Sequence, residues 1–390
     1  MRTTPRSRCA VKSFIAASLA AITLFLPACR EHPAADPAYR EFAYVSNGKS
    51  DSVSVIDALS LRNVKTIPLG KNPTGLAANP VRNEIYVVNT ESNNVAIIDA
   101  ERNEVVATIG VHQTPYFISV SSDGRRAYVA NSGSGNVSVI DLDKREVIAT
   151  IPVGNAPGLA KVSPDGKLVA VSNRGANTVS LIDTQQLRVR NTIAVCVQPQ
   201  DMVILPDNSK LFVACPGSNQ LAAVDLKTDQ VLALLEVGQL PLQLALKPDG
   251  GEIFVTNFNS NTISIVEAYT NEVSASYLIG SNPVRALVTS DNSLLYVSNF
   301  GSNNVSVYAI DEGRVVDSIP VGGRPDGLAL TPNEDHLFVA DAKSGDVAVV
   351  RTAKTRDNSK ISAERALVTV IPVGNQPNDI VIKAFRSTGK

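Results

Sequence analysis

The chain has 390 residues, with 36 basic against 37 acidic side chains and a net charge of −1. That balance supplies no basic face for nucleic acid. Trp is absent and aromatics make up 5%, which excludes a wall of stacking platforms for bases or sugars.

The first predicted element is an export signal. Arg2, Arg6, Arg8 and Lys12 precede an uncharged apolar stretch from Ser13 to Ala28, the layout of a signal peptide and too short for a membrane-spanning helix. It ends in Leu26-Pro27-Ala28-Cys29, which resembles the lipobox of bacterial lipoproteins. The resemblance implies diacylation of Cys29, which becomes the mature N-terminus. Arg30 in place of Asp implies export to the outer membrane. Cleavage by an ordinary signal peptidase after Ala28 is the other reading. Residues 1–28 are thus expected to be a signal peptide, and 29–41 a lipidated Cys with a polar tether holding Pro33 and Pro37.

From residue 42 onward one phrase recurs. Asn47, Asn89, Asn131, Asn173, Asn257 and Asn299 lie on a series with a step of 42, and its two gaps are Cys215 and Asp341. Each unit reads as four short strands. In the third these are Ala127–Asn131, Val137–Asp141, Val147–Gly154 and Gly158–Ser163. They are rich in Val and Ile and bounded by turn residues, the content of a propeller blade. Asp123-Gly124, Asp165-Gly166 and Asp249-Gly250 supply positive φ for hairpins. The signature Asn is expected to form an Asx turn, the Ser three residues on to satisfy amides in the same bend, and Asp57, Asp99, Asp141, Asp183 and Asp225 to cap the next turn.

The phrases Tyr-Val-Ser/Thr-Asn, Val-Ser-Val-Ile-Asp, Thr-Ile-Pro-Val-Gly and Ser-Pro-Asp-Gly resemble the YVTN-family β-propeller repeat, in order, over residues 42–385. The resemblance implies blades that start with the Gly-Leu-Ala strand, innermost at the channel. We label the strands of a blade a to d from that strand. The chain enters at b and finishes on an a strand, Asp379 to Lys383, so the last strand must complete the first blade. The expected fold is all-β, an eight-bladed β-propeller of four-stranded antiparallel blades over residues 42–385; seven blades is the alternative. The last unit carries ten extra residues within Arg351 to Arg365, either a solvated c–d excursion or a docking loop.

Cysteines support the address. Of four, Cys9 leaves with the signal and Cys29 is used by lipid. Cys196 replaces a repeated Gly and Cys215 the signature Asn, on one expected rim. A disulfide between them fits an oxidising compartment; two independent buried thiols are the alternative.

Because the fold fixes what recurs, side chains that differ between units mark where a ligand could sit. Two positions after the repeat Pro the series reads Gly75, Phe117, Leu159, Asp201, Gln243, Arg285, Gly327, Asp379. The candidate ligand or partner site at the channel mouth is Tyr116, Phe117, Asp201, Gln243, Arg285 and Asp379, with Phe258 and Phe300 as further apolar wall. A water-filled mouth with self-paired charges is the competing reading. No metal-ligand spacing, nucleophile elbow or phosphate loop is present, so no catalytic residue, cofactor or metal is assigned. The expected role is an envelope-anchored binding or scaffold protein, held to the membrane by its lipid and engaging a protein, peptide or small ligand at its upper rim. The alternatives are a periplasmic redox propeller, similar to quinoprotein or haem d1 domains with His112 as rim ligand, and a hydrolase of the propeller lactonase type.

Overall fold

A computed structural model describes residues 36–352 and 365–387. The signal peptide, Cys29, residues 30–35 of the tether and most of the long c–d insertion fall outside these residues. Thirty-two strands are present among the described residues, from β1 (Tyr39–Asn47) to β32 (Pro377–Arg386). They form eight four-stranded antiparallel sheets, an eight-bladed β-propeller. Strand β1 starts three residues earlier than the expected entry at Phe42, so Tyr39–Glu41 belong to the sheet rather than to the tether.

Closure occurs in the first blade. Its sheet runs β3 (Arg62–Pro68), β2 (Ser52–Asp57), β1, β32, and the ladder pairs Tyr39 with Arg386 through to Asn47 with Pro377. The other seven blades each take four successive strands. Blade 2, for example, is β4 (Pro73–Ala78), β5 (Glu84–Asn89), β6 (Asn94–Asp99) and β7 (Glu104–Gly110).

The alternating apolar residues put both faces of each b and c strand inside. Adjacent blades then pack face to face. Tyr128, Ala130, Val137 and Val139 of blade 3 meet Val169, Val171 and Ile182 of blade 4 in one cluster. The aromatic that opens the repeated phrase is fully buried at Tyr44, Tyr86, Tyr128, Phe212, Phe254, Tyr296 and Phe338. A β-bulge recurs between strands c and d, as at Val55/Ile56, Val139/Ile140 and Val307/Tyr308; it bends the outer strand and strengthens the blade's twist.

The turn chemistry matches the sequence in part. Gly124, Gly166 and Gly250 have φ of 69°, 71° and 79°. The capping Asp residues accept two backbone N–H groups each, as Asp141 does from Asp143 and Lys144 at 2.9 Å; those bonds hold its carboxyl below the usual range. The signature Asn behaves differently from expectation. It makes no Asx turn: its Nδ2 donates forward to the side chains five and seven residues on, as in Asn131 to Asn136 (2.8 Å) and Ser138 (2.9 Å). The repeated Ser also reaches out of its own bend, accepting the N–H of a residue 21 earlier in the d–a loop, as in Gln113 to Ser134 at 2.9 Å. These bonds tie the b–c and d–a connections into one rim, the upper one.

Gly70, Gly154, Gly238, Gly280, Gly322 and Gly374 leave room for the signature residue. A Cβ at Gly154 would lie 2.7 Å from the Asn173 side chain. In blade 5 both members of that contact change together, and Cys196 and Cys215 form a disulfide with Cα atoms 5.7 Å apart. His112 stands at the same position in blade 3, its Nε2 3.0 Å from Thr150 Oγ1 on an outer strand.

Candidate functional site

The upper end of the channel is closed in by the first residues of the innermost strands, around a cavity of about 250 Å³. Tyr116, Phe117, Asp201, Gln243, Arg285 and Asp379 all line it. Phe258 and Phe300 do not. Their rings pair with each other at 6.3 Å, and Arg324 covers Phe300 at 5.2 Å.

Two consecutive residues of most innermost strands face the cavity, which strict strand alternation would forbid. The cause is a register shift just after the repeat Pro, as between Pro115/Phe117, Pro241/Gln243 and Pro283/Arg285. The residue directly after Pro therefore joins the lining in every blade: Thr74, Tyr116, Gly158, Gln200, Leu242, Val284, Asp326 and Asn378. Gly75 and Gly327 are absent from it because neighbouring innermost strands approach there. A Cβ on Gly75 would sit 3.1 Å from the Tyr116 carbonyl oxygen, and one on Gly327 would sit 3.2 Å from Asp379 Cα.

Three polar lining residues staple one blade to the next. Asp379 accepts the Ile380 N–H at 3.0 Å and the Leu76 N–H of blade 2 at 2.9 Å. Asp201 accepts the Met202 N–H at 2.8 Å and the Leu244 N–H of blade 6 at 2.9 Å. Gln243 Oε1 accepts the Ala286 N–H of blade 7 at 2.7 Å. These side chains differ from the other units partly because they carry inter-blade bonds, a structural duty added to any contact with a ligand.

Arg285 is the centre of the charge. Its Nε lies 3.4 Å from Asp326 Oδ1. Burial works against its charge, but Asp326, Asp379 and Asp201 more than offset this and raise its pKa further. Although 41% of its side-chain surface is accessible, that surface opens on the channel mouth rather than on bulk solvent. Burial pushes Asp379 up to about 6, against the pull of Arg285 and of the Leu76 and Ile380 amides. Asp326 is also raised by burial, with Arg285 opposing. Arg174, from the b–c bend of blade 4, completes the lining and lies over the Tyr116 ring with Cζ 5.2 Å from its centroid.

Asp326 and Arg174 escaped the sequence reading. The residue after the repeat Pro varies as much as its neighbour, so Asp326 was findable. Arg174 follows the signature Asn173 directly, where Gly48, Thr90, Ser132, Phe258 and Phe300 stand in other units. A cation among small and aromatic residues was the available signal.

Among the described residues no group of three His, Cys, Asp or Glu side chains is placed to hold a metal. A haem also fits poorly. The lining offers no His, Cys or Met, and its one Tyr lies under Arg174. His112 is turned to Thr150 on an outer strand. The volume is below the roughly 300–1,000 Å³ of drug-sized ligand sites.

A family model of the cytochrome D1 haem domain matches residues 78–195. One of the lactonase, 7-bladed beta-propeller matches residues 280–368. No curated protein matches the chain. Among solved structures, the chain is similar to a dihydro-haem d1 dehydrogenase, NirN, in complex with DHE, at TM-score 0.72 and 15% identity, covering 93% of this chain and 78% of that one. Kuenenia stuttgartiensis hydrazine synthase aligns at TM-score 0.59 and 22% identity, over 72% and 96%. A functionally unknown protein from Desulfotomaculum acetoxidans aligns at 0.61 and 16%, over 77% and 98%. At such identities the likeness is one of fold, and with eight closed sheets it establishes that the chain is a β-propeller protein.

Proposed function

We infer that this propeller is an exported, lipid-anchored binding protein of the bacterial envelope that takes a small ligand at its upper channel mouth. The observation that carries the reading is the convergence of side chains that do not repeat between blades on one cavity, with the Arg285–Asp326 pair inside it. A disulfide within the fold supports an oxidising compartment. The basic, apolar and Leu-Pro-Ala-Cys segments of the N-terminus support export and acylation at Cys29, with the outer membrane as destination.

Ligand binding is tested by incubating the full chain with a periplasmic extract, desalting it, and measuring retained small molecules by mass spectrometry. Leu159→Trp, which fills the mouth, should lose what the parent chain retains. Equal retention by both proteins overturns the reading. Acylation is tested by palmitate labelling in cells. Label that disappears in Cys29→Ala supports the anchor, and an unlabelled parent chain refutes it.

The second reading is cofactor work, favoured by the haem d1 family match over residues 78–195. Visible absorption of the purified protein that is lost in Tyr116→Phe would establish it at this mouth. A colourless protein leaves the small-ligand reading.

A further inference from the structure

The hydrogen-bonding groups at the mouth are not evenly engaged, and the imbalance bears on ligand chemistry. Three of the lining acceptors are occupied by the fold itself. Asp201 and Asp379 each take two backbone N–H groups, and the Gln243 carbonyl takes a third strand's amide. The donors are not. Arg285 donates through Nε to Asp326, and its Nη groups have no acceptor among the described residues. The Arg174 guanidinium has none either and rests on the Tyr116 ring. The hydroxyl of Tyr116, a residue 41% exposed, likewise makes no hydrogen bond among the described residues. Arg174, Tyr116 and Arg285 all line this one cavity.

Unengaged donor forks facing an enclosed space call for a planar oxyanion, because guanidinium and carboxylate match two bonds to two. The remaining wall is apolar: Phe117, Leu159, Leu242 and Val284. The charge sum limits the anion. Three carboxylates and two arginines give the lining a net charge of −1, which opposes a dianion twice as strongly as a monoanion and leaves the local donor forks to favour a single negative charge. We propose that the mouth binds a small monocarboxylic acid, its carboxylate held by the Arg174 and Arg285 forks and its short apolar body against Phe117, Leu159, Leu242 and Val284. This rests on the small-ligand reading of the same cavity and narrows it to one chemical class.

The test titrates the full chain calorimetrically with benzoate and three relatives of the same size class: neutral benzamide, cationic benzylamine and dianionic phthalate. Benzoate should bind at least about tenfold more tightly than benzamide, the effect of a charge-assisted bidentate contact, and more tightly than phthalate. Arg174→Gln removes a side chain that the fold does not bond. It should weaken benzoate about tenfold and leave benzamide unchanged, with a thermal midpoint lowered by no more than loss of the Tyr116 contact allows. Benzylamine, benzamide or phthalate binding as tightly as benzoate overturns the proposal, as does an Arg174→Gln protein that binds benzoate normally. If none of the four probes binds while the chain still retains a molecule from the extract, the carboxylate class falls and the pocket reading stands. If retention is absent as well, both fall.

Discussion

The eighth blade and the regular blades solve one packing problem with different chemistry. In blades such as the fourth and seventh, the signature Asn lies against a Gly of the d–a loop and donates through Nδ2 to a side chain five residues on, at 3.0 Å from both Asn173 and Asn299. In blade 8 that residue is Asp341, its partner five residues on is Asp346, and Ala348 replaces the Ser seven residues on. Asp341 is fully buried and neither carboxylate oxygen has a hydrogen-bond partner among the described residues. Burial, with Asp346 adding to it, pushes Asp341 up to about 8, and the nearby Gly322 and Ala348 amides offset only part of this. A proton on Asp341 restores the donor that an amide supplies elsewhere. The lesson is that the position tolerates different residues: a donor in the regular blades and in blade 8, a disulfide in blade 5.

Replacing Asp341 by Asn should produce the largest change. The folded pKa lies above the unfolded one, so the group's contribution is fully present below about pH 4 and is lost as pH rises towards about 8. Asp341→Asn should therefore stabilise the protein, and the gain should grow by about 1.4 kcal/mol per pH unit across that window. Denaturant titrations at pH 5 and pH 8 measure it. A gain independent of pH would mean that Asp341 is ionised in the fold.

The disulfide comes next. Cys196→Ala with Cys215→Ala should cost about 2–4 kcal/mol. Cys196→Gly with Cys215→Asn rebuilds the regular pair, and its thermal midpoint should recover part of the loss. If it is no better than the alanine pair, the two solutions are not interchangeable.

A regular blade should respond less. Asn131→Ala strips the two bonds to Asn136 and Ser138 and should lower stability by about 1–3 kcal/mol. The smallest effect belongs to the mouth, where Arg174→Gln removes only the contact over Tyr116. It should change stability by about 1 kcal/mol or less.

Most of the architecture was legible because the step of 42 residues set strand order, blade content and the join of the first and last strands. Local bonds were legible where they run between near neighbours, as at Asp141 with Asp143 and Lys144. They were not where a side chain serves a distant loop. The Ser134 hydroxyl accepts from Gln113, 21 residues back, and Asp379 accepts from Leu76 across the clasp. The site was half legible for a related reason. Alternation along a strand predicts one channel-facing residue at its start, and the register shift after most of the repeat Pro residues adds another, which brings in Asp326.

The pairing of β32 with β1 has a consequence for the order in which the molecule is made. The strand nearest the axis in the first blade is the last to be synthesised, and more than three hundred residues separate the partners, as Tyr39 and Arg386 show. Until that segment emerges, the ring is an arc with two bare flanks, one on the unfinished first sheet and one on the eighth. Joining distant segments adds little entropy cost per doubling of length, so delay rather than free energy is the hazard. During synthesis the arc has to be kept from pairing with other copies until its final strand arrives.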